Sequence, residues 1–408
     1  MSEYFDALET RSDDERVAGL ATALPRQIAN AMANASGMAA HLGAIDAATI
    51  TDRTALATLP VLRKSDLGSA QKTSAPFGGF TTKAPNGTRH VFQSPGPIYE
   101  PGGDTVDWWR MGRFLHACGI GSADIVQNCF SYHLTPAGMI FENGAATVGA
   151  TVFPAGTGQT ELQAQAAADL GITVYAGTPD YLKVILDKGA EMGVDLSRIK
   201  RAAVSGGALF PSLRQEYADR GIQCLQAYAT ADLGNIAYES SAIEGMIVDE
   251  GVIVEIVTPG TGIPVKSGEV GEVVVTTMNP DYPLIRFATG DLSAVMPGVS
   301  PCGRTNMRIK GWMGRADQTA KIKGMFVRPE QVAALVARHP EILKVRVIVF
   351  REGEQDAMTV QIETDGVNLE AVSASVQATL KLRGTVEQHA PGTLPNDGKV
   401  IDDQRSYD

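Results

Sequence analysis

The stretch Arg286-Phe-Ala-Thr-Gly-Asp291-Leu places a carboxylate directly after a Thr-Gly turn. A carboxylate held there can accept two hydrogen bonds from a ribose diol. A plain hairpin turn would use the same Gly-Asp pair, so the stretch takes its meaning from context. GRADQTAKIKG follows at 314–324, and Lys399 comes late, in LPNDGKV at 394–400. An ammonium on a mobile loop can stabilise negative charge as it builds on a reacting group. Taken alone, Lys399 reads as a solvated tail lysine.

A second candidate is FQSPGPIYEPGGD, residues 92–104. It carries Ser94, Gly96, Gly102 and Gly103 but neither a lysine nor a GK[ST] ending. Its prolines remove amide donors, and Glu100 brings a charge that would repel phosphate. Composition alone allows a proline turn. SGGALFP at 205–211 ends a strand and opens a helix. Backbone at a glycine pair can approach a planar ring closely, or simply turn tightly. Cys118, Cys129, Cys224 and Cys302 lack CxxC spacing, which argues against both a disulfide scaffold and a zinc site.

RFATGDL, GRADQTAKIKG and the late Gly-Lys occur in the order that marks one superfamily. In these motifs the sequence resembles the adenylate-forming acyl-CoA ligases, and among them the phenylacetate–CoA ligase family. YPLIRFATGDL, PCGRT, GRADQTAKIKGMFVRPEQV and LPVLRKSDL at 59–67 carry the resemblance. It extends over nearly the whole chain and is most specific in the last third.

The resemblance implies an ATP-dependent, AMP-forming acid–thiol ligase. A carboxylate attacks the α-phosphate of ATP to give an acyl-adenylate and pyrophosphate, and the thiol of coenzyme A then displaces AMP. By position, Asp291 would bind the ribose and Arg315 the ribose or phosphate. Asp317 would be the hinge of a rotating small domain, and Lys399 would act in adenylation. Ser205, Gly206, Gly207 and Ala208 would line the adenine pocket. Tyr228 would stack on adenine, with Ala229 and Thr230 beside it. Asp232 would help hold Mg²⁺, for which a hard oxygen ligand is suited. Ala229 and Ala231 depart from the family's glycine and hydroxyl residue, which removes one phosphate contact. QSPGPIYEPGG would be a degenerate phosphate loop, retaining Ser94 and Gly96.

Tyr132 and His133 would line the acyl pocket opposite Gly177 and Thr178, with Lys323 and Gly324 also binding substrate. An aromatic acid is the expected substrate. Some relatives carry zinc, but here Ser240 and Ile247 stand at the cysteine and histidine positions. With only Cys302 retained, no structural zinc is expected. Two rival readings remain at this level: an adenylating enzyme that passes the acyl group to a carrier protein, and a nucleotide-binding pseudo-enzyme. Retention of Asp291, Arg315, Asp317 and Lys399 argues against the second.

The elements that must position these residues follow from periodicity. Residues 1 to about 70 read as helices. From DIVQNCFSY to CLQAYAT, short apolar runs alternate with helical stretches, which means βαβ units and a parallel sheet. Such a sheet binds ligands beyond the carboxyl ends of its strands, here SYH, PAGTG, GTPD, SGGA and YATAD. Residues 245–296 read as β-rich. A small α/β unit follows, with AKIKGMFV, the helix PEQVAALVARHP, two strands and the helix LEAVSASVQATLKLRG. The expected class is α/β: a large N-terminal adenylate-forming domain, 1–316, with parallel sheets and a β-rich subdomain, and a small mobile C-terminal α/β domain, 317–408.

The 408 residues suffice for two or three domains, and a net charge of −11 argues against nucleic acid or acidic membrane as partner. No apolar run reaches the roughly 20 residues of a membrane span. The acidic start has no signal core, so a cytoplasmic enzyme is expected, with a homodimer as the default assembly.

Overall fold

Five strands, Ile125–Asn128, Thr151–Phe153, Val174–Gly177, Arg201–Val204 and Gln223–Thr230, alternate with helices Ala137–Thr147, Thr160–Asp169, Pro179–Met192 and Pro211–Asp219. All five pair in parallel, in the order 151–153, 125–128, 174–177, 201–204, 223–230. Their apolar runs are continuous because the sheet is covered on both faces. One core joins Phe114, Ile140, Phe141 and Ala145 to Val126, Val174 and Ala176. A second joins Ala164, Leu182, Ile185 and Tyr217 to Tyr175, Ala202 and Val204. The crossover from 125–128 runs to the strand on one side, while that from 174–177 runs to the other. The sheet therefore has its topological switch point between these two strands, where a crevice opens at the carboxyl ends.

This computed structural model describes residues 3–316, 320–322, 325–352, 355–395 and 399–405. The chain divides into two compact units, Met1–Thr289 with Ser293–Trp312, and Gly290–Leu292 with Met313–Asp408. In the first unit the parallel sheet continues antiparallel through Gly234–Tyr238, Met246–Val248, Arg308–Ile309, Phe287–Met296, Val270–Thr277 and Val252–Val257. VIVEIV, residues 252–257, is buried along its whole length. Leu62–Arg63 joins Phe287–Met296 in parallel, so the RKSDL segment starts beside the strand that carries RFATGDL. His90–Ser94 and Ile98–Gly102 form a separate two-stranded hairpin.

The second unit is a four-stranded sheet, in the order Thr385–His389, Gln355–Glu363, Lys344–Glu352, Ile401–Asp403. Helices Pro329–Val336 and Leu369–Leu380 pack on it through Val332, Leu335, Val347, Val360, Val372 and Val376. Ala320–Ile322 and Met325–Val327 pair as a hairpin. The architecture is the expected α/β class, with a large mixed sheet and a separate small one. No described helix is long and apolar enough to cross a membrane.

Candidate active site

The loops at the switch point are held side by side by backbone. The Cys129 amide donates to the Ala176 carbonyl at 2.7 Å, and the Ser205 amide to that of Gly177 at 3.2 Å. Ser205 is buried, and its hydroxyl donates to the Ala227 carbonyl, so it braces the loop. Gly206, Gly207 and Ala208 are exposed on the crevice side of that brace. Gly206 has φ +73, a left-handed conformation that suits glycine. A β-carbon built there would stand 3.7 Å from Phe130 and 3.8 Å from Thr178. The adenine-loop candidates and the acyl-pocket candidates thus meet at one place.

Phe130 stacks on Phe141 with centroids 4.3 Å apart, and both rings are buried in the core. The Tyr132 hydroxyl accepts from Asn128 at 2.8 Å, and burial pushes its phenol pKa up. His133 is exposed, and its backbone amide donates to Ser131. Gly177 must be glycine, because a β-carbon would lie 2.1 Å from the Tyr175 hydroxyl. That hydroxyl donates to the Thr178 carbonyl at 2.9 Å. Thr178 in turn precedes Pro179, which opens the next helix.

Tyr228 is buried, and its hydroxyl donates to Thr289 at 3.0 Å. Thr289 passes the chain on to the Val273 carbonyl, again at 3.0 Å. The Tyr-Ala-Thr segment is thereby fixed to the first residue of the Thr-Gly-Asp turn. Ala229 sits at a bulge in its strand, and the Thr230 hydroxyl accepts from the Leu233 amide.

The 92–104 stretch is a β-hairpin turning on Pro95-Gly96-Pro97, with both Ser94 and Glu100 buried. The sequence reading had Glu100 repelling phosphate, but here its carboxyl accepts the Ser94 hydroxyl. Burial, then the nearby Asp232 charge, pushes its pKa up to about 8, against the Ser94 hydrogen bond and Lys64. Asp232 is buried and paired with Lys64 at 2.9 Å. Sequence reasoning did not single out Lys64, although it lies in the RKSDL match. It also missed the packing of Asp232 against Glu100, for which spacing carries no signal.

In the second unit, Asp291 and Arg315 pair through backbone and, at 3.2 Å, through side chains. Gly290, at φ +76, makes this approach possible, because a β-carbon there would stand 2.7 Å from the Arg315 guanidinium. Lys399 is paired with Asp402 at 3.0 Å. Asp317, Lys323 and Gly324 lie outside the described residues.

Ser240 is buried, and Cys302 is in hydrogen-bond range of Ser300 at 3.1 Å. Among the described residues no group of three or more His, Cys, Asp or Glu could hold a metal ion.

A family model described as AMP-binding enzyme matches residues 112–279. A phenylacetate–coenzyme A ligase of Thermus thermophilus is 28% identical over 326 residues, 76% of this chain and 72% of its own. Its counterpart in Aromatoleum evansii is 29% identical over 324 residues, with the same 76% and 72% coverage. The Escherichia coli enzyme is 30% identical over 270 residues, 63% of this chain and 61% of its own. Among solved structures, 2-hydroxyisobutyryl-CoA ligase in the postadenylation state with 2-HIB-AMP matches with a TM-score of 0.83. It is 22% identical, and the match covers 98% of this chain and 92% of that one. At that identity the structural likeness speaks for the fold. The family model over 112–279 and the curated relatives make the chain similar to AMP-binding enzymes and to phenylacetate–coenzyme A ligases, in line with the motifs.

Proposed function

We propose that this chain is an AMP-forming carboxylate–CoA ligase acting on an aromatic acid of the phenylacetate type. The observation that carries this reading is the convergence of Gly206, Phe130 and Thr178 at the carboxyl-end crevice of the parallel sheet. In the first step a carboxylate oxygen attacks the α-phosphorus of ATP. A new P–O bond forms, and the bond to the departing pyrophosphate breaks. In the second step the coenzyme A thiol, losing its proton, attacks the acyl carbon, and AMP leaves.

Asp291 accepts the ribose hydroxyls, and Arg315 orients that carboxylate and meets the phosphate. The Gly206–Ala208 loop offers bare backbone to the adenine, with Tyr228 as its wall. Tyr132, with Phe130 beside the Gly206 loop, supplies apolar surface to the acid, whose polar anchor is Lys399. The Lys399 ammonium must leave Asp402 to stabilise charge at the α-phosphate. Asp232 has one buried oxygen with no partner in the protein, which suits a hard cation. Mg²⁺ there would neutralise charge on the pyrophosphate. We assign the hinge between 1–316 and 317–408 to Asp317, and a part in substrate binding to Lys323 and Gly324, on the resemblance. The same reading takes the enzyme as cytoplasmic and homodimeric.

The test is pyrophosphate release from ATP and Mg²⁺ across a panel of aryl and alkyl acids, with and without coenzyme A. Release that depends on an aryl acid, with thioester formed when coenzyme A is added, is expected. Adenylate that transfers only to a carrier protein would replace the acceptor, and nucleotide binding without release would overturn catalysis.

A further inference from the structure

His90–Ser94 and Ile98–Gly102 form a two-stranded sheet, and such a sheet leaves the outward backbone groups of both strands without a ladder partner. Here both edges are taken up. On one, the Gln93 amide donates to the Leu134 carbonyl at 2.8 Å. On the other, the side chain of Gln71 stands in for a third strand. Its Nε2 donates to the Tyr99 carbonyl at 2.8 Å, and its Oε1 accepts from the Tyr99 amide, also at 2.8 Å. Gln71 is 6% exposed, and Gln93 and Tyr99 stand opposite each other in the hairpin. The two contacts therefore grip one residue pair from its two sides.

Gln71 belongs to helix Lys64–Thr73, which touches three parts of the candidate site within the first unit. Its first residue, Lys64, pairs with Asp232 at 2.9 Å. Just before it, Leu62 and Arg63 pair with Phe287 and Ala288 in the strand that carries RFATGDL. Further along, Gly68 and Gln71 meet the hairpin. A β-carbon at Gly68 would stand 3.1 Å from Ile98, and Gln71 holds Tyr99. Lys64 and Gln71 are about two turns apart on one face of the helix, roughly 10 Å along its axis, so the helix acts as a fixed spacer between Asp232 and the hairpin.

We propose that Gln71 is a positioning residue for the phosphate half of the nucleotide site: by clamping Tyr99 it sets the 92–104 hairpin at the β- and γ-phosphates of ATP. The proposal deepens the adenylation reading, and rests on it for the hairpin's being the counterpart of a phosphate loop. A hairpin poor in hydroxyls and amide donors gains most from being held still, because each contact it does make must already be in place. AMP lacks the β- and γ-phosphates, so the clamp counts for ATP and not for AMP.

The experiment is calorimetric titration of the full-length protein with AMP and, separately, with α,β-methylene-ATP, which keeps the three phosphates and cannot be cleaved at the α–β link. Gln71→Met removes both hydrogen bonds at similar length. Gln71→Glu keeps the acceptor for the Tyr99 amide and loses the donor, and it decides the matter if Gln71→Met does not fold. Each variant is expected to bind α,β-methylene-ATP about tenfold more weakly, because backbone groups of Tyr99 are left unpaired, and to bind AMP within about twofold of the wild type. Thermal melts and the retained AMP affinity establish that the variants fold. Unchanged affinity for α,β-methylene-ATP overturns the proposal. So does an equal loss for AMP and α,β-methylene-ATP, which would make Gln71 a general brace of the fold, and so does a wild type that binds neither. Acid-dependent pyrophosphate release by the wild type, beside unchanged α,β-methylene-ATP affinity in the variants, sinks this inference but not the ligase. A selective loss of α,β-methylene-ATP affinity, with no release by the wild type, sinks the ligase reading but not the clamp.

Discussion

Arg315 reaches Asp291 twice, through a backbone bridge and through a side-chain ion pair at 3.2 Å, and Gly290 is the residue that lets it approach. The guanidinium fixes the carboxylate that we assign to the ribose. Asp291→Ala should weaken AMP binding by about 10- to 100-fold, the worth of hydrogen bonds to a charged group at about 1.5–3 kcal/mol. Thermal stability should barely change, because a partly exposed ion pair contributes about 0–1 kcal/mol. Calorimetric titration with AMP, beside a melting curve, checks both halves.

Lys399 is paired with Asp402, and the adenylation role we propose for it requires its release. Lys399→Ala should reduce acid-dependent pyrophosphate release by about 10²- to 10³-fold, the usual cost of losing one preorganised charge stabiliser. Thioester formation from preformed acyl-adenylate and coenzyme A should stay near the wild-type rate. Equal loss in both half-reactions would remove Lys399 from its assigned step.

Asp402 also gives the small unit a defined acid sensitivity. Hydrogen bonds from Gln404, Lys399 and Arg346, against some burial, lower its pKa from 3.8 to about 2. A depressed carboxyl stabilises the fold above its unfolded pKa, and that stabilisation fades as pH falls from 3.8 toward 2. Asp402→Asn should flatten the pH dependence of unfolding in this window. Acid titrations of both proteins, followed by circular dichroism, would show an unchanged slope if the assignment is mistaken.

Arg286, the first residue of RFATGDL, is structural. It is 2% exposed, pairs with both oxygens of Glu255 at 3.0 Å, and donates to the carbonyls of Ala57, Leu59 and Gly262. Arg286→Leu leaves a buried carboxylate unpaired and should cost about 3–5 kcal/mol of stability. Denaturant unfolding measures this, and a loss below about 1 kcal/mol would contradict the buried-pair argument.

The four cysteines should differ in reactivity. Burial raises the pKa of Cys118, Cys129 and Cys224. At Cys302 burial is outweighed by hydrogen bonds from Ser240, Ser300 and Arg304, and the thiol pKa is lowered. Alkylation mapped by mass spectrometry should label Cys302 first. Faster labelling of any of the other three would show that their burial does not hold in solution.

The βαβ rhythm, the antiparallel extension and the small α/β unit were legible in the sequence, because period and turn residues are local properties of a chain. The motifs around Asp291, Arg315 and Lys399 pointed to the chemistry through their resemblance to a known family. The sequence could not show that Glu100 turns inward onto Ser94, that Lys64 serves Asp232, or that Tyr228 ends on Thr289. The Lys64–Asp232 and Tyr228–Thr289 pairs join segments far apart in the chain, while the inward turn of Glu100 is set by which face of its hairpin is buried; in each case burial decides which polar atoms must find one another. The same residue that reads as a repelling charge along the hairpin becomes, once folded, half of a carboxylate pair. Sequence by itself determined the class of chemistry. Tertiary packing decided which polar atoms meet, since only packing sets the desolvation that gives an unpaired group its cost.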